Sequence, residues 1–241
     1  MIAQNRTGAA LSGLCGAWRG VMHLRTMITA HSGCEGRPDN SLEYVRYALG
    51  CGADALEVDV HSRGSGFYIS HDPSEGDHPR LEEVFSLIRG GTRKLNCDLK
   101  QPGMEQDVLA LARSCGMADQ LIFSGAVSHQ ALGDPAVGAR TFWNIESAMP
   151  QLFQRYEQGI MPTAEEIRQA AGLCREHGAG VINVYYAVCT AENLKIFREY
   201  GVGVSAWTVN EEAEARRLLA EGIVNITTRR PVMVCALRKD T

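Results

Sequence analysis

The sequence predicts a single-domain (β/α)8 barrel, and three observations carry that expectation. Short β-type runs alternate with amphipathic helical runs from residue 27 onward, and such alternation implies parallel strands joined by right-handed crossovers. The β-type runs number eight: MITAH, ADALEVDV, KLNCDL, QLIFS, ARTFWNI, GVINVYY, GVSAWTV and VNITT. The Gly-rich phosphate loop of an open doubly wound sheet, G-x-G-x-x-G, does not follow the first of them.

Each element has its own local warrant. After the first strand, Asn40 with Glu43 reads as an N-cap and its N3 partner. Leu42, Val45 and Leu49 share one helical face, and Gly50 and Gly52 end the helix. LEEVFSLIRG and EQDVLALARSCG are the helices after the second and third strands. Thr163 with Glu166 forms another capping box. Ile167, Ala170, Ala171 and Cys174 make its buried stripe, and Gly178 stops it. TAENLKIFREYG and NEEAEARRLLAEG repeat the scheme before the seventh and eighth strands close the ring.

The second strand carries the chemistry. Side chains alternate faces along a strand, so Glu57, Asp59 and His61 share one face while Leu56, Val58 and Val60 share the other. SRGSG then closes a hairpin. A turn centred between Gly64 and Ser65 sets residue 59 opposite residue 70 and delivers His71 beside Glu57 and Asp59. Barrel active sites lie at the C-terminal ends of the strands, where His31, Asp98 and Lys100 also fall. Carboxylates gathered in a partly buried site raise one another's pKa, and a hard divalent cation relieves that. An all-oxygen set suits Mg2+ or Ca2+ rather than zinc. His23, His78, His129 and His177 read as surface or loop residues; so does His61, less firmly, because it shares the acidic face.

Composition sets the outer bounds. The chain has 241 residues, 45% hydrophobic and 22% charged, with a net charge of -4. A full core is within reach, and a basic face for nucleic acid is not expected. The eight cysteines show no C-x-x-C and no regular spacing, which points to free thiols in a reducing, cytoplasmic setting. No apolar run approaches the ~20 residues that cross a bilayer. Residues 1–26 read as an N-terminal extension before a start-like Met27, with 27–241 as the barrel; oligomeric state is not encoded legibly.

The motifs taken together resemble the glycerophosphodiester phosphodiesterase family. Its members carry H-R-G, E-N-T, G-A-D-x-[IL]-E-x-D-V, a short hairpin, and H-D. This chain has HSG at 31–33, DNS at 39–41, GADALEVDV at 52–60 and SHD at 70–72. PRLEEVF, DLK at 98–100, AWTVN at 206–210 and GIVNITT at 222–228 continue the likeness. The resemblance implies a TIM barrel that hydrolyses a small-molecule phosphodiester to sn-glycerol 3-phosphate and an alcohol, with a bound divalent cation. It implies that His31 and His71 are the catalytic pair and that Glu57, Asp59 and Asp98 are metal ligands. Lys100, Asn40, Ser32 and Trp207 then fall on the substrate side.

Two departures stand out. Ser32 replaces the Arg of H-R-G, and a hydroxyl supplies no charge for a phosphate, which leaves Arg37 and Arg63 as candidates for that role. Asp98 stands where the family has Glu, one methylene longer. The insertion after the hairpin shrinks to DPSEGDHPR, which opens the mouth to a bulkier headgroup. Two other readings share the same residues: a phospholipase of the sphingomyelinase D type, and a phosphodiester-binding barrel with impaired catalysis.

Overall fold

The computed structural model describes residues 25–239 other than 65, 74, 153, 154, 156 and 157; the predicted extension therefore lies almost wholly outside the described residues. The barrel expectation holds. Strands β1 (Met27–Ala30), β2 (Ala55–Arg63), β4 (Lys94–Leu99), β5 (Leu121–Gly125), β6 (Phe142–Asn144), β7 (Val181–Tyr185), β8 (Gly203–Trp207) and β9 (Asn225–Thr228) form one sheet. Its order is β5-β4-β2-β1-β9-β8-β7-β6, parallel throughout. A parallel bridge between Phe123 and Thr141 joins the two ends into a ring. β3 (Gly66–Ile69) stands outside the ring, antiparallel to β2.

The helices that cover the ring are α1 (Leu42–Gly50), α2 (Leu81–Ile88), α3 (Glu105–Ser114), α4 (Ala164–His177), α5 (Ala191–Glu199), α6 (Glu212–Ala220) and α7 (Pro231–Leu237). α4 shows how the sequence sets them. Thr163 Oγ1 accepts from Glu166 N while the Glu166 carboxylate accepts from Thr163 N, Ile167, Ala170, Ala171 and Cys174 are buried, and Gly178 ends the helix at φ 81°. α2 buries Leu81, Val84, Phe85 and Ile88 against the sheet. Each such side chain contributes roughly 1.5–3 kcal/mol, so the seal between helix and strand is mainly hydrophobic. Among the described residues no helix is long and apolar enough to cross a membrane, and the described cysteines are free.

Inside the ring the side chains change character from bottom to top. Ile122, Phe142 and Val181 plug the end where the strands begin. Above them lies a layer of amides and hydroxyls: Thr29 Oγ1 donates to Asn225 at 2.7 Å, Asn225 to Ser205 at 2.9 Å, and Asn96 to Ser124 at 2.9 Å. The next inward positions, at the C-terminal ends, are His31, Asp59 and Asp98. Strand alternation inside a filled barrel thus stacks apolar, neutral polar and titratable layers, and the titratable layer faces the mouth.

One helix start differs from the sequence expectation. The N-cap of α1 is Ser41, whose Oγ accepts from Tyr44 N at 3.0 Å. Asn40 sits at φ 48° with its side chain turned into the barrel mouth, and Glu43 pairs with Arg37 instead of closing a capping box.

Candidate active site

The hairpin forms in the predicted register. Val60 pairs with Ile69, and Ser70 N donates to Asp59 O at 3.1 Å. That register brings His71 Nδ1 to 3.3 Å from Asp59 Oδ2, with the imidazole 69% exposed. At the end of β1, His31 is 22% exposed, with Nδ1 2.9 Å from Ser32 O and 3.8 Å from Glu57 Oε2. Each imidazole therefore has Nδ1 against an oxygen acceptor, which assigns its proton to Nδ1 and leaves Nε2 as the basic nitrogen.

Glu57, Asp59 and Asp98 each offer one carboxylate oxygen, and the three atoms lie within 4.8 Å of one another. Lys100 Nζ lies 2.7 Å from Asp59 Oδ1 and 2.6 Å from Asp98 Oδ2. Ser124 Oγ holds the other oxygen of Asp98 at 2.8 Å. Burial pushes Glu57 up to about 7, with the Asp59 and Asp98 charges adding to it against the pull of His31. Burial acts upward on Asp59 too, but the Lys100 ammonium and hydrogen bonds from Lys100 and Asn40 outweigh it and hold the group below its ordinary value. Lys100 is raised: burial acts downward, and its two carboxylate partners overcome that. Two neighbouring acids thus sit on opposite sides of their usual range, a separation characteristic of sites built for chemistry.

The other predicted site residues occupy the same place, mostly as supports. Asn40 grips Asp59 twice, its Nδ2 donating to Oδ2 at 2.7 Å and its Oδ1 accepting from Asp59 N at 2.9 Å. Ser32 is buried; its N–H donates to Glu57 Oε2 at 3.2 Å and its hydroxyl accepts from Asn40 N at 2.7 Å. Trp207 ends β8 and lines a cavity of about 280 Å³ with Tyr185 and Tyr186. Its ring N–H is buried without a partner among the described residues. Arg37 turns to Glu43 and lies over Tyr47, and Arg63 lies over Tyr68, so both point to contacts away from the carboxylates.

His61 is not a surface residue. It is buried, stacks on Tyr68 at 5.4 Å, and presents Nε2 3.3 Å from His71 O. Tyr68 stacks in turn on the partly buried His78. The sequence reading also passed over Tyr44, whose hydroxyl lies 2.6 Å from Ala30 O and accepts from Glu57 N at 3.2 Å, tying β1 to β2 just below the carboxylates. Its buried place on the inner face of α1 was the available signal. Glu146, in the single helical turn Ile145–Ala148 after β6, was likewise unassigned; both its oxygens are buried with no partner from another of the described residues.

The comparisons with known proteins bear on the family and the fold. No family model matches the sequence. The chain is 25% identical over 183 residues to glycerophosphodiester phosphodiesterase GDPD4 of Arabidopsis thaliana, a match covering 67% of this chain and 47% of the relative. The chain thus spans about half the length of that curated relative. Among solved structures, the fold is similar to a putative glycerophosphoryl diester phosphodiesterase of Agrobacterium tumefaciens. There the TM-score is 0.74 at 18% identity, with 90% of this chain and 98% of that one covered. It is similar also to an Oleispira antarctica phosphodiesterase in complex with the product sn-glycerol-3-phosphate, with TM-score 0.65, 20% identity, and 93% and 99% covered.

Proposed function

We propose, from the premise that the chain belongs to the glycerophosphodiester phosphodiesterase family, that it hydrolyses a glycerophosphodiester to a phosphomonoester such as sn-glycerol 3-phosphate and an alcohol. One observation carries the reading: two imidazoles, each backed by a carboxylate, flank a cluster of three acids at one barrel mouth.

The donor set fits a divalent cation. Three carboxylate oxygens converge, Asp98 is already oriented by Ser124, and Glu57 rises to about 7, burial first and like charge second. An added positive charge at that point favours the ionised form. Glu57, Asp59 and Asp98 would hold Mg2+ or Ca2+, hard ions suited to oxygen ligands. Such an ion would supply charge stabilisation to the phosphate oxygens in the transition state.

The chain's own groups do the proton work. Nε2 of one histidine takes a proton from the attacking hydroxyl or water, and Nε2 of the other gives one to the leaving oxygen. Glu57 steadies the His31 imidazolium and Asp59 that of His71, since each lies against the Nδ1 edge. Lys100 adds positive charge beside the phosphate. The attacking group is water, or a hydroxyl of the substrate next to the phosphate, which would pass through a cyclic phosphate.

The test is a panel of soluble glycerophosphodiesters with added Mg2+, Ca2+ or Mn2+ and with EDTA, reading released alcohol and phosphomonoester. Turnover that EDTA abolishes is expected. His31→Ala and His71→Ala should each lower kcat by at least about a hundredfold with the circular dichroism spectrum unchanged. Full activity in both variants would remove the two-histidine mechanism, and failure of every substrate with every ion would remove the function.

A further inference from the structure

The proposed reaction needs cationic groups for a phosphate at a mouth lined by three acids, and Lys100, the cation of β4, is held between Asp59 and Asp98. The residue after His31 adds none, because Ser32 is buried with its hydroxyl on Asn40 N. A guanidinium arrives from the opposite end of the sequence. Arg229 is the first residue after β9, and β9 lies beside β1 in the ring. Its N–H donates to Asn210 Oδ1 at 2.9 Å, and its carbonyl accepts from Glu35 N at 2.8 Å. The backbone is thereby fixed on the loop that follows His31.

The side chain then crosses that loop. Nη1 donates to Asp39 Oδ1 at 2.8 Å and Nη2 to Oδ2 at 3.2 Å, a two-point pair. A Cβ placed on Gly33 would stand 2.9 Å from Nη1, so the guanidinium lies directly against the residue that follows Ser32. Two of its five N–H groups face Asp39, which leaves three donors without a partner among the described residues, and the side chain is 41% exposed. The Asp39 hydrogen bond raises the Arg229 pKa most; the Asp39, Glu57 and Asp59 charges add to it against burial, so the guanidinium also feels the carboxylates of the mouth.

We infer that Arg229 is a substrate-binding residue, supplying from the last strand the guanidinium that the end of β1 lacks and gripping the anionic oxygens of the phosphate. Asp39 is its positioning residue, aiming the fork while leaving its outer edge to the ligand. The inference rests on the phosphodiesterase reading for the identity of the anion. Arg suits the task because a planar fork matches two phosphate oxygens at once.

The experiment is calorimetric titration of the Mg2+-supplemented protein with sn-glycerol 3-phosphate, which needs no turnover. Arg229→Gln should weaken binding about ten- to a hundredfold, the range for a lost charge-assisted bond in a partly buried site. Arg229→Lys should recover part of that loss, and Asp39→Asn should weaken binding several-fold through misplacement. Arg37→Gln, on the same side of the barrel, should bind as the unaltered protein does. Thermal melts check that the variants fold; should Arg229→Gln fail to fold, the comparison of Arg229→Lys with the unaltered protein decides. Unchanged affinity in Arg229→Gln, or in Arg229→Lys where it alone folds, or absence of binding by the unaltered protein, overturns the inference. Arg229-dependent binding without hydrolysis of any glycerophosphodiester would support it while removing the proposed activity. Where hydrolysis is present, the loss should fall chiefly on KM.

Discussion

Glu146 makes folding stability depend on pH in a direction opposite to that of a paired surface acid. Both its oxygens are buried with no partner from another of the described residues, and burial pushes the carboxyl from 4.5 to about 7, against a bond from its own backbone N–H and with the Asp98 charge adding. Between those two values the unfolded chain gives up a proton that the folded chain keeps. Stability therefore falls as pH rises through the window, with the full contribution present below about 4.5 and lost above about 7. At about 1.4 kcal/mol for each tenfold change in proton affinity, the loss is about 3 kcal/mol. Glu146→Gln keeps the shape and removes the titration. Urea unfolding in EDTA at pH 5 and pH 8 measures the effect. The variant should be within about 1 kcal/mol of the unaltered protein at the lower pH and more stable by about 3 kcal/mol at the higher, a midpoint shift of roughly 1 M. Glu57, raised in the same way, titrates in both proteins and drops out of the comparison. A stability difference that is the same at both pH values would refute the reasoning, because only the ionised carboxylate carries the cost.

Other expectations follow from single contacts. Arg238→Ala should lower stability by roughly 1–3 kcal/mol in the same urea assay, since the buried guanidinium joins the end of α7 to Asp54 and to Thr26 O at 2.7 Å; the partly exposed Asp54 keeps its bond from Ile28 N, and Thr26 O loses its side-chain donor. Gly33→Ala should cost at least about 1 kcal/mol from the left-handed backbone alone. The residue is at φ +71°, and the added methyl would also collide with the Asp39 carboxylate and displace Arg229; a thermal melt paired with the phosphomonoester titration reads both effects. His61→Phe keeps the stack on Tyr68 but drops the contact to His71 O. It should lower kcat a few-fold, leave KM unchanged, and lower stability by no more than about 1 kcal/mol; an unaltered kcat would make His61 a packing residue only.

The parts of the site that were legible in the sequence are those fixed by short-range rules. Strand alternation puts Glu57 and Asp59 on one face, and a tight turn leaves a single register in which residue 59 meets residue 70. His71 is therefore placed by counting. The surface reading of His61 fails for another reason: past the rim of the ring the β2–β3 ribbon has its own neighbours, and there the imidazole is buried against Tyr68 in place of the acids. The start of α1 shows a different limit. Asn40 and Ser41 are both good caps, and nothing local ranks them. The choice is made by Asp59, nineteen residues away, which takes both ends of the Asn40 amide and leaves the cap to Ser41.

Arg229 marks the point where local rules give out entirely. In the run TTRRP nothing distinguishes it from Arg230, and both read as surface charge. Their roles separate only when the ring closes and β9 pairs with β1, Thr227 opposite Thr29 and Thr228 opposite Ala30. One arginine is then set against Gly33 and Asp39, while the other reaches back toward Asn210 O. A departure at the end of one strand, Ser32, is thus read correctly only against the neighbouring strand's end. In a barrel whose first and last strands are adjacent, that neighbour lies almost two hundred residues away in sequence, beyond the reach of any motif. Charge at the mouth is therefore a property of the closed ring, and a substitution on β1 is to be judged by what β9 carries beside it.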